Sequence, residues 1–598
     1  MATSSTLPNG NLLFYGDNLT VLRERIPPGS VDLIYLDPPF NSNRGYNVLF
    51  KEPDTTESEA QVRAFKDYWK WDLAAERVYA ELTGLGAEDK RGIPPRLVTL
   101  MEAMRTFLGK NDMMAYLVMM AIRLIELRRA LKPTGALYLH CDPTASHYLK
   151  LLLDAVFGPE RFTSEVIWKR TSAHSGAHRY GPVHDVLLFY ARSDKYIWNP
   201  LYQPYDDEYI NTFFEQRDPD GQKWKRGDLT GPGIRTGDSG LSWRGVDVTA
   251  KGRHWQPASY VYEKYKKITG DDLARYPLMK RLDRLDEIGL IHWPDKTGGM
   301  PRYKCYLEDM PGIPLQDIWT DINPLHNLSK ERLHYQTQKP IALLERIIAT
   351  SSNEGDVVLD PFCGCGTTIY ASQRLKRRWI GIDITHLSIS LIQRRLDTAF
   401  SGIKYEVKGE PTDEGSARKL AAAKPFEFQY WALSHIGAHP ADDGPNPGKE
   451  SKKGMDRGID GIIRFRDDPR AKQSQRIIVS VKAGKNLSPV MVRELRGTIE
   501  RENAPIGVLL TMYPPTKEMK REAALAGLWH SSTWKRDYPR IQIITVSEIF
   551  AKTNRVEYPG QDVTLLATQK DKRREENLGL PGIGAPVQVK KTRKVAAG

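Results

Sequence analysis

Two acids that end apolar runs are the residues best placed to do chemistry. In VDLIYLDPPF, residues 31–40, the run Val31, Leu33, Ile34, Tyr35 and Leu36 suits a strand covered on both faces. Asp37 arrives where such a strand leaves the core, and Pro38 and Pro39 stop it from continuing, with Phe40 next. Acids at the carboxyl ends of parallel strands commonly face a ligand crevice. An Asp-Pro turn that merely punctuates a strand uses the same residues, so this stretch alone leaves both readings open.

The second acid is more specific. In DVVLDPFCGCGTTIYASQRL, residues 356–375, an apolar strand ends at Asp360, a glycine loop follows, and a helix begins near Thr367. Gly364 and Gly366 let the backbone turn sharply and approach a ligand, and the helix start offers unpaired N–H groups. Asp383 closes the next strand, RWIGID, about 20 residues on, where a nucleoside-binding α/β unit puts the acid that accepts from ribose hydroxyls. The loop lacks the G-x-G-x-x-G pattern, and no Lys follows its glycines, which points away from a dinucleotide or ATP and toward another nucleoside. A purely structural glycine turn is the alternative.

The elements that must carry these acids alternate. Residues 11–40 read as strand, helix, strand; 53–131 as mostly helical; GALYLHCD as a strand; HYLKLLLDAVFG as a helix; SEVIWKR and HDVLLFYAR as strands. The α/β pattern resumes at KPIALLERIIAT and runs to residue 400. Between 195 and 330 the chain is rich in Trp, Tyr, Arg, Lys and Gly with weak periodicity. A polar connection covers 401–423, a compact segment 424–552, and a basic tail, expected to be disordered, 569–598.

The 598 residues, net charge +13 and four cysteines exclude a disulfide scaffold and favour a polyanionic partner. No apolar stretch has the length to span a bilayer, and the start lacks a signal-peptide core, so a cytoplasmic protein is expected. Cys363 and Cys365 have no second pair to complete a zinc site.

Six matches, in order, give a family. FYGDNL (14–19), DLIYLDPPF (32–40), LKPTGALYLHCD (131–142), FTSEVIWKR with HDVLLFY (162–190), TQKP (337–340) and DPFCGCGTT (360–368) resemble the DNA amino-methyltransferases in which the catalytic motif precedes the cofactor motif. The resemblance covers roughly residues 11–400. It implies a Rossmann-like α/β methyltransferase core in two segments, a catalytic part 11–194 and a cofactor part 331–400, around a target-recognition insert at 195–330. It also implies S-adenosylmethionine as cofactor, double-stranded DNA as partner with a homodimer left open, and a place in a restriction–modification system. Asp37, Pro38, Pro39 and Phe40 would hold and stack the flipped base. Asp17 would lie near the cofactor adenine, with Lys339 and Pro340 beside the cofactor. Asp360, Pro361, Phe362, Cys363, Gly364, Gly366 and Thr367 would hold its methionine part and Asp383 its ribose. The family more often has Ser at the position of Cys365. Asp-Pro-Pro-aromatic goes more often with adenine N6 than with cytosine N4.

Residues 424–552 resemble the Mrr-like branch of the PD-(D/E)xK nucleases, a small α/β restriction-endonuclease-like domain. Asp460 and Lys482 match that pattern; Asp460 would bind Mg²⁺, and Lys482 would help orient a water against the phosphate. Ser480 stands where the family has Glu or Gln, which weakens metal binding unless Glu427 or Asp456 contributes. An active nuclease, a non-cleaving DNA-binding module, and a surface pair between Asp460 and Lys482 are the three readings.

Overall fold

The computed structural model describes residues 7–39, 71–84, 92–172, 180–295, 299–325, 329, 331–333, 337–440, 458–468, 474–559 and 561–562. The expectations for Phe40, Asp456 and the tail 569–598 lie outside these residues. The chain divides into a unit made of residues 1–199 and 316–572 and a second unit carrying residues 200–315.

Among the described residues the first unit is built on a nine-stranded sheet. Its strands are β1 (Asn11–Tyr15), β2 (Val31–Leu36), β3 (Leu131–Cys141), β4 (Phe162–Lys169), β5 (His184–Ala191), β6 (Ile318–Trp319), β7 (Val357–Asp360), β8 (Arg378–Asp383) and β9 (Tyr405–Lys408). They lie in the order β6-β4-β5-β3-β2-β7-β8-β1-β9, and only β5 runs antiparallel to its neighbours. The permuted halves therefore interleave: β2 lies beside β7, with Leu33 opposite Val358 and Ile34 opposite Leu359. All six residues of β2 are buried because helices cover both faces. Ile34, Leu36, Leu137 and Leu359 pack against the helix Asp112–Ala130 on one face. Leu33, Tyr35, Tyr138 and Val358 pack against the helix Ile341–Ser351 on the other.

An acid inside β2 joins the halves. Asp32, 3 % exposed, accepts from Val357 N–H at 2.9 Å and pairs with Lys132 at 2.7 Å. A buried carboxylate survives in a strand only with such partners.

The 401–423 stretch is more than a connection. Tyr405–Lys408 adds the edge strand β9 to the core sheet, and Glu414–Ala423 forms a helix opened by an Asp413–Ser416 capping box. Ala417 and Ala421 on that helix pack on Phe428 and Trp431 of the helix Pro425–His435. Among the described residues the last segment then builds a six-stranded sheet in which Gly461–Arg466 pairs antiparallel with Gln475–Lys482, followed by parallel Ile506–Thr511 and Ile541–Thr545.

The second unit falls inside the 195–330 expected for an insert. Asn199 bonds to Ala349 and Ser352 carbonyls at 3.0 and 2.9 Å, and Trp319 sits in the core sheet, so both flanks belong to the first unit. The unit carries a four-stranded sheet around buried Trp224, Trp243, Trp255 and Tyr303. Its Trp residues are thus core, anchored by bonds such as Trp224 Nε1 to Asp218 at 2.9 Å.

Candidate active site

Strand order brings the two acidic motifs to one edge. β2, β7, β8 and β1 are consecutive neighbours in the sheet, so Asp37, Asp360, Asp383 and the Gly16–Asp17 turn leave it side by side. Lys339, from the residues preceding the helix Ile341–Ser351, joins them: its Nζ lies 2.5 Å from Asp37 Oδ2, with both side chains largely buried. The other oxygen, Asp37 Oδ1, is buried and has no hydrogen-bond partner among the described residues. A buried carboxylate oxygen without a donor is costly, and a bound N–H would satisfy it. Pro38 is buried beside it.

Asp360 is 2 % exposed and accepts from Phe362 N–H at 3.0 Å. Burial pushes its carboxyl up to about 7, helped by the charges of Asp37 and Asp383 and opposed by bonds from Thr368 and Phe362. Asp383 accepts from Thr385 N–H and hydroxyl and from Gly364 N–H, each at 2.9 Å, so it latches the glycine loop. Burial raises its carboxyl and these bonds oppose the rise. The Ser388 hydroxyl adds to these bonds.

The loop is held to one shape. Cys363 N–H donates to Ile382 O at 3.1 Å and Gly366 N–H to Cys363 O at 2.7 Å. Gly366 has φ +74°, and a Cβ there would stand 2.6 Å from Ile392 Cγ1, so only glycine fits. Gly364 is also left-handed, at φ 48°. Thr367 opens the helix Thr367–Arg374 with no side-chain cap, a start suited to a carboxylate. Pro361 and Phe362 lie between Asp360 and this turn, and Cys365 is buried against Leu391.

Several supporting residues carry no local sequence signal. Asn18 Nδ2 donates to Pro361 O at 2.8 Å, and Arg123 Nε donates to Asn18 Oδ1 at 2.5 Å. Arg123 also pairs with Asp17 at 2.8 Å, and Asp17 caps its helix through Thr20 N–H at 3.0 Å. The Asp17 carboxylate is therefore engaged within the protein, and what its turn offers beside Asp383 is backbone: Gly16 N–H donates to Asp383 O at 2.9 Å. Arg395, buried, donates to Cys365 O at 3.1 Å and braces the loop from beneath. In the sequence Arg123 is only a single Arg within the apolar run MMAIRLIEL, and Arg395 is one of two arginines in SLIQRRL. A buried chain backs the DPP strand end: Tyr35 Oη lies 2.8 Å from His140 Nδ1, and His140 Nε2 3.0 Å from Asp185 Oδ2.

These groups fit S-adenosylmethionine: an uncapped helix start for its carboxylate, a cradle that a Cβ would fill, and a buried acid that holds the glycine loop at the end of the next strand. Mg²⁺ is not fitted at the second candidate site. Asp460 accepts from Val481 N–H at 2.6 Å and from Ser480 Oγ and Gln429 Nε2, both at 3.1 Å. Glu427 points elsewhere, accepting from Tyr15 Oη at 2.8 Å and pairing with Lys424 at 3.0 Å. Lys482 ends the strand Gln475–Lys482, and its carbonyl accepts from Met512 N–H at 3.0 Å. Among the described residues no group of three or more His, Cys, Asp or Glu is arranged to hold a metal ion, and no helix is long and apolar enough to cross a membrane.

Comparison with known proteins is consistent with this geometry. The N6/N4 family described as "DNA methylase" matches residues 31–394. A second family, described as "NACHT-associated inactive Restriction Endonuclease 1", matches residues 447–551. The chain is similar to the type II methyltransferase M.EcaI of Enterobacter cloacae, 32 % identical over 397 residues, covering 66 % of this chain and 71 % of that one. It is 27 % identical over 378 residues to the type III restriction-modification enzyme StyLTI Mod subunit of Salmonella typhimurium, covering 61 % of this chain and half of that one. Over 83 residues, 14 % of this chain and 28 % of the other, it is 46 % identical to the DNA adenine methyltransferase YhdJ of Escherichia coli.

Proposed function

Because this chain belongs to the N6/N4 DNA methylase family and is a DNA methyltransferase, we propose that it methylates the N6 amine of a target adenine in double-stranded DNA. The observation that carries this is the half-used carboxylate. Asp37 Oδ2 is clamped by Lys339, and Oδ1 is buried and open beside Pro38, next to the glycine loop and Asp383. An exocyclic amine is a poor nucleophile because its lone pair is delocalised into the ring. Asp37 Oδ1 and the Pro38 carbonyl accept its two hydrogens, which fixes the amine and turns the lone pair out of the ring plane. Pro39 holds that carbonyl toward the base. The amine lies inside the duplex, so the base is flipped out to reach these groups.

S-adenosylmethionine supplies an electrophilic methyl group on a positively charged sulfur. The residues 360–368 hold its methionine end with Thr367 at the helix start, Asp383 takes a ribose hydroxyl, and the Asp17 turn frames its adenine. Pro340 walls the side facing Asp37, and Lys339 turns its ammonium to Asp37 itself. With a preactivated donor, orientation and fixed charges supply most of the rate. The Asp-Pro-Pro-Phe form favours adenine N6 over cytosine N4, and the adenine-methylating relative supports the same choice.

In this reading residues 200–315 recognise the target sequence and the chain serves a restriction–modification system. The last domain, with its Mrr-like strand pattern, is a DNA-binding module that does not cleave. The wiring of Asp460 to Ser480, Gln429 and Val481 N–H favours this over an active nuclease. The test is to incubate the protein with unmethylated duplex DNA and labelled S-adenosylmethionine, then to digest the DNA to nucleosides. N6-methyladenine is expected; N4-methylcytosine would overturn the base assignment, and unlabelled DNA the whole reading.

A further inference from the structure

We infer that Lys339 is a positioning residue for methyl transfer, acting through Asp37 rather than on the cofactor; this rests on the reading above. Three carboxylates, Asp37, Asp360 and Asp383, converge at the edge of β2, β7 and β8. The charge of Asp37 reaches Tyr35 on β2 and Cys141 at the end of β3, and that of Lys339 reaches Asp185 on β5. Lys339, 8 % exposed, is the cation in contact with Asp37, at 2.5 Å from Oδ2. Residues 302 apart in sequence thus meet in one buried pair that crosses the seam between the permuted halves.

The pair does two things. An ammonium held on one oxygen stops the carboxylate from rotating and so fixes where the other oxygen points. It also supplies the counter-charge without which a buried carboxylate beside Asp360 is disfavoured as an anion, the form that accepts from an amine. Since Oδ2 is taken, the amine has one carboxylate oxygen available, Oδ1, and the Pro38 carbonyl must accept the second hydrogen. The base is thereby held in one orientation.

The test uses Lys339→Cys in the full chain. The four native cysteines are buried, and so is position 339, so peptide mass analysis fixes the site and extent of alkylation before assay, with equally treated wild type as the control. Treatment with bromoethylamine restores an ammonium at nearly the reach of lysine; iodoacetamide adds bulk without charge. The variant is expected to lose about a hundredfold in kcat on unmethylated duplex DNA. Its affinity for S-adenosylhomocysteine should stay within about threefold of wild type. Aminoethylation is expected to recover kcat to within about tenfold of wild type, and iodoacetamide is not. A loss that appears in cofactor affinity with kcat intact would overturn the inference and assign Lys339 to the cofactor. Equal recovery with both reagents would overturn it in favour of space-filling. If Lys339→Cys does not fold, Lys339→Met is read for the same split between kcat and affinity. A wild type that labels no DNA would sink the function proposed above rather than this inference alone.

Discussion

Asp360 makes stability depend on pH in a way that one substitution should remove. Its carboxyl sits at about 7 in the folded protein, mainly through burial, against 3.8 for the free group. Between these values the unfolded chain is ionised and the folded chain keeps a proton, so stability falls as pH rises. At about 1.4 kcal/mol per unit of pKa difference, the ionised folded form costs about 4 kcal/mol above pH 7, and about 3 kcal/mol of that develops between pH 5 and pH 8. Asp360→Asn keeps an oxygen for Phe362 N–H and an amide for the Thr368 hydroxyl while removing the titration. Wild type and variant are compared by chemical denaturation at about pH 5 and pH 8. The variant's stability relative to wild type is expected to rise by about 3 kcal/mol across that interval. A gap that stays constant with pH would refute the reasoning, because Asp360 would then not hold a proton in the folded site.

Other expectations follow from the same geometry. Gly366→Ala puts a Cβ 2.6 Å from Ile392 Cγ1 at φ +74°, and should cost about 2–4 kcal/mol and weaken cofactor binding, read by thermal melting and calorimetry. Glu427→Ala leaves the Tyr15 hydroxyl unpaired at the β1 end that adjoins Asp383, and should lower stability by about 1–2 kcal/mol in denaturation curves. Supercoiled plasmid incubated with the protein and Mg²⁺ should remain uncut on gels, since the Asp460 carboxylate is already spent on Ser480, Gln429 and Val481 N–H; linear or nicked product would reinstate a nuclease.

What was legible in the sequence is what short-range pattern encodes. VDLIYL reads as a strand because every residue is wrapped by helices, and DPFCGCGTT as a loop because Gly364 and Gly366 take left-handed backbone that other residues resist. The strand pair at Gly461–Arg466 and Gln475–Lys482 was visible for similar reasons. What was missed depends on contacts between distant residues. Nothing near Lys339 announces Asp37, and nothing near Asp17 says that Arg123 and the helix cap occupy its carboxylate. The short run KYEVK looked like connection because a four-residue edge strand draws its identity from β1 beside it. Nothing near Glu427 in the sequence announces its bond to Tyr15. Nothing in the weak periodicity of 195–330 showed that Trp224, Trp243 and Trp255 pack into a core.

The most direct measurement of the central claim is single-turnover methyl transfer to unmethylated duplex DNA by wild type and Asp37→Ala, with S-adenosylhomocysteine affinity measured on both. The account predicts a rate at least about a hundredfold lower in Asp37→Ala with cofactor affinity within about threefold, because the substitution removes the open acceptor and leaves the glycine loop and Asp383 intact. Undiminished transfer by Asp37→Ala would contradict it and move the chemistry away from the DPPF edge of the sheet.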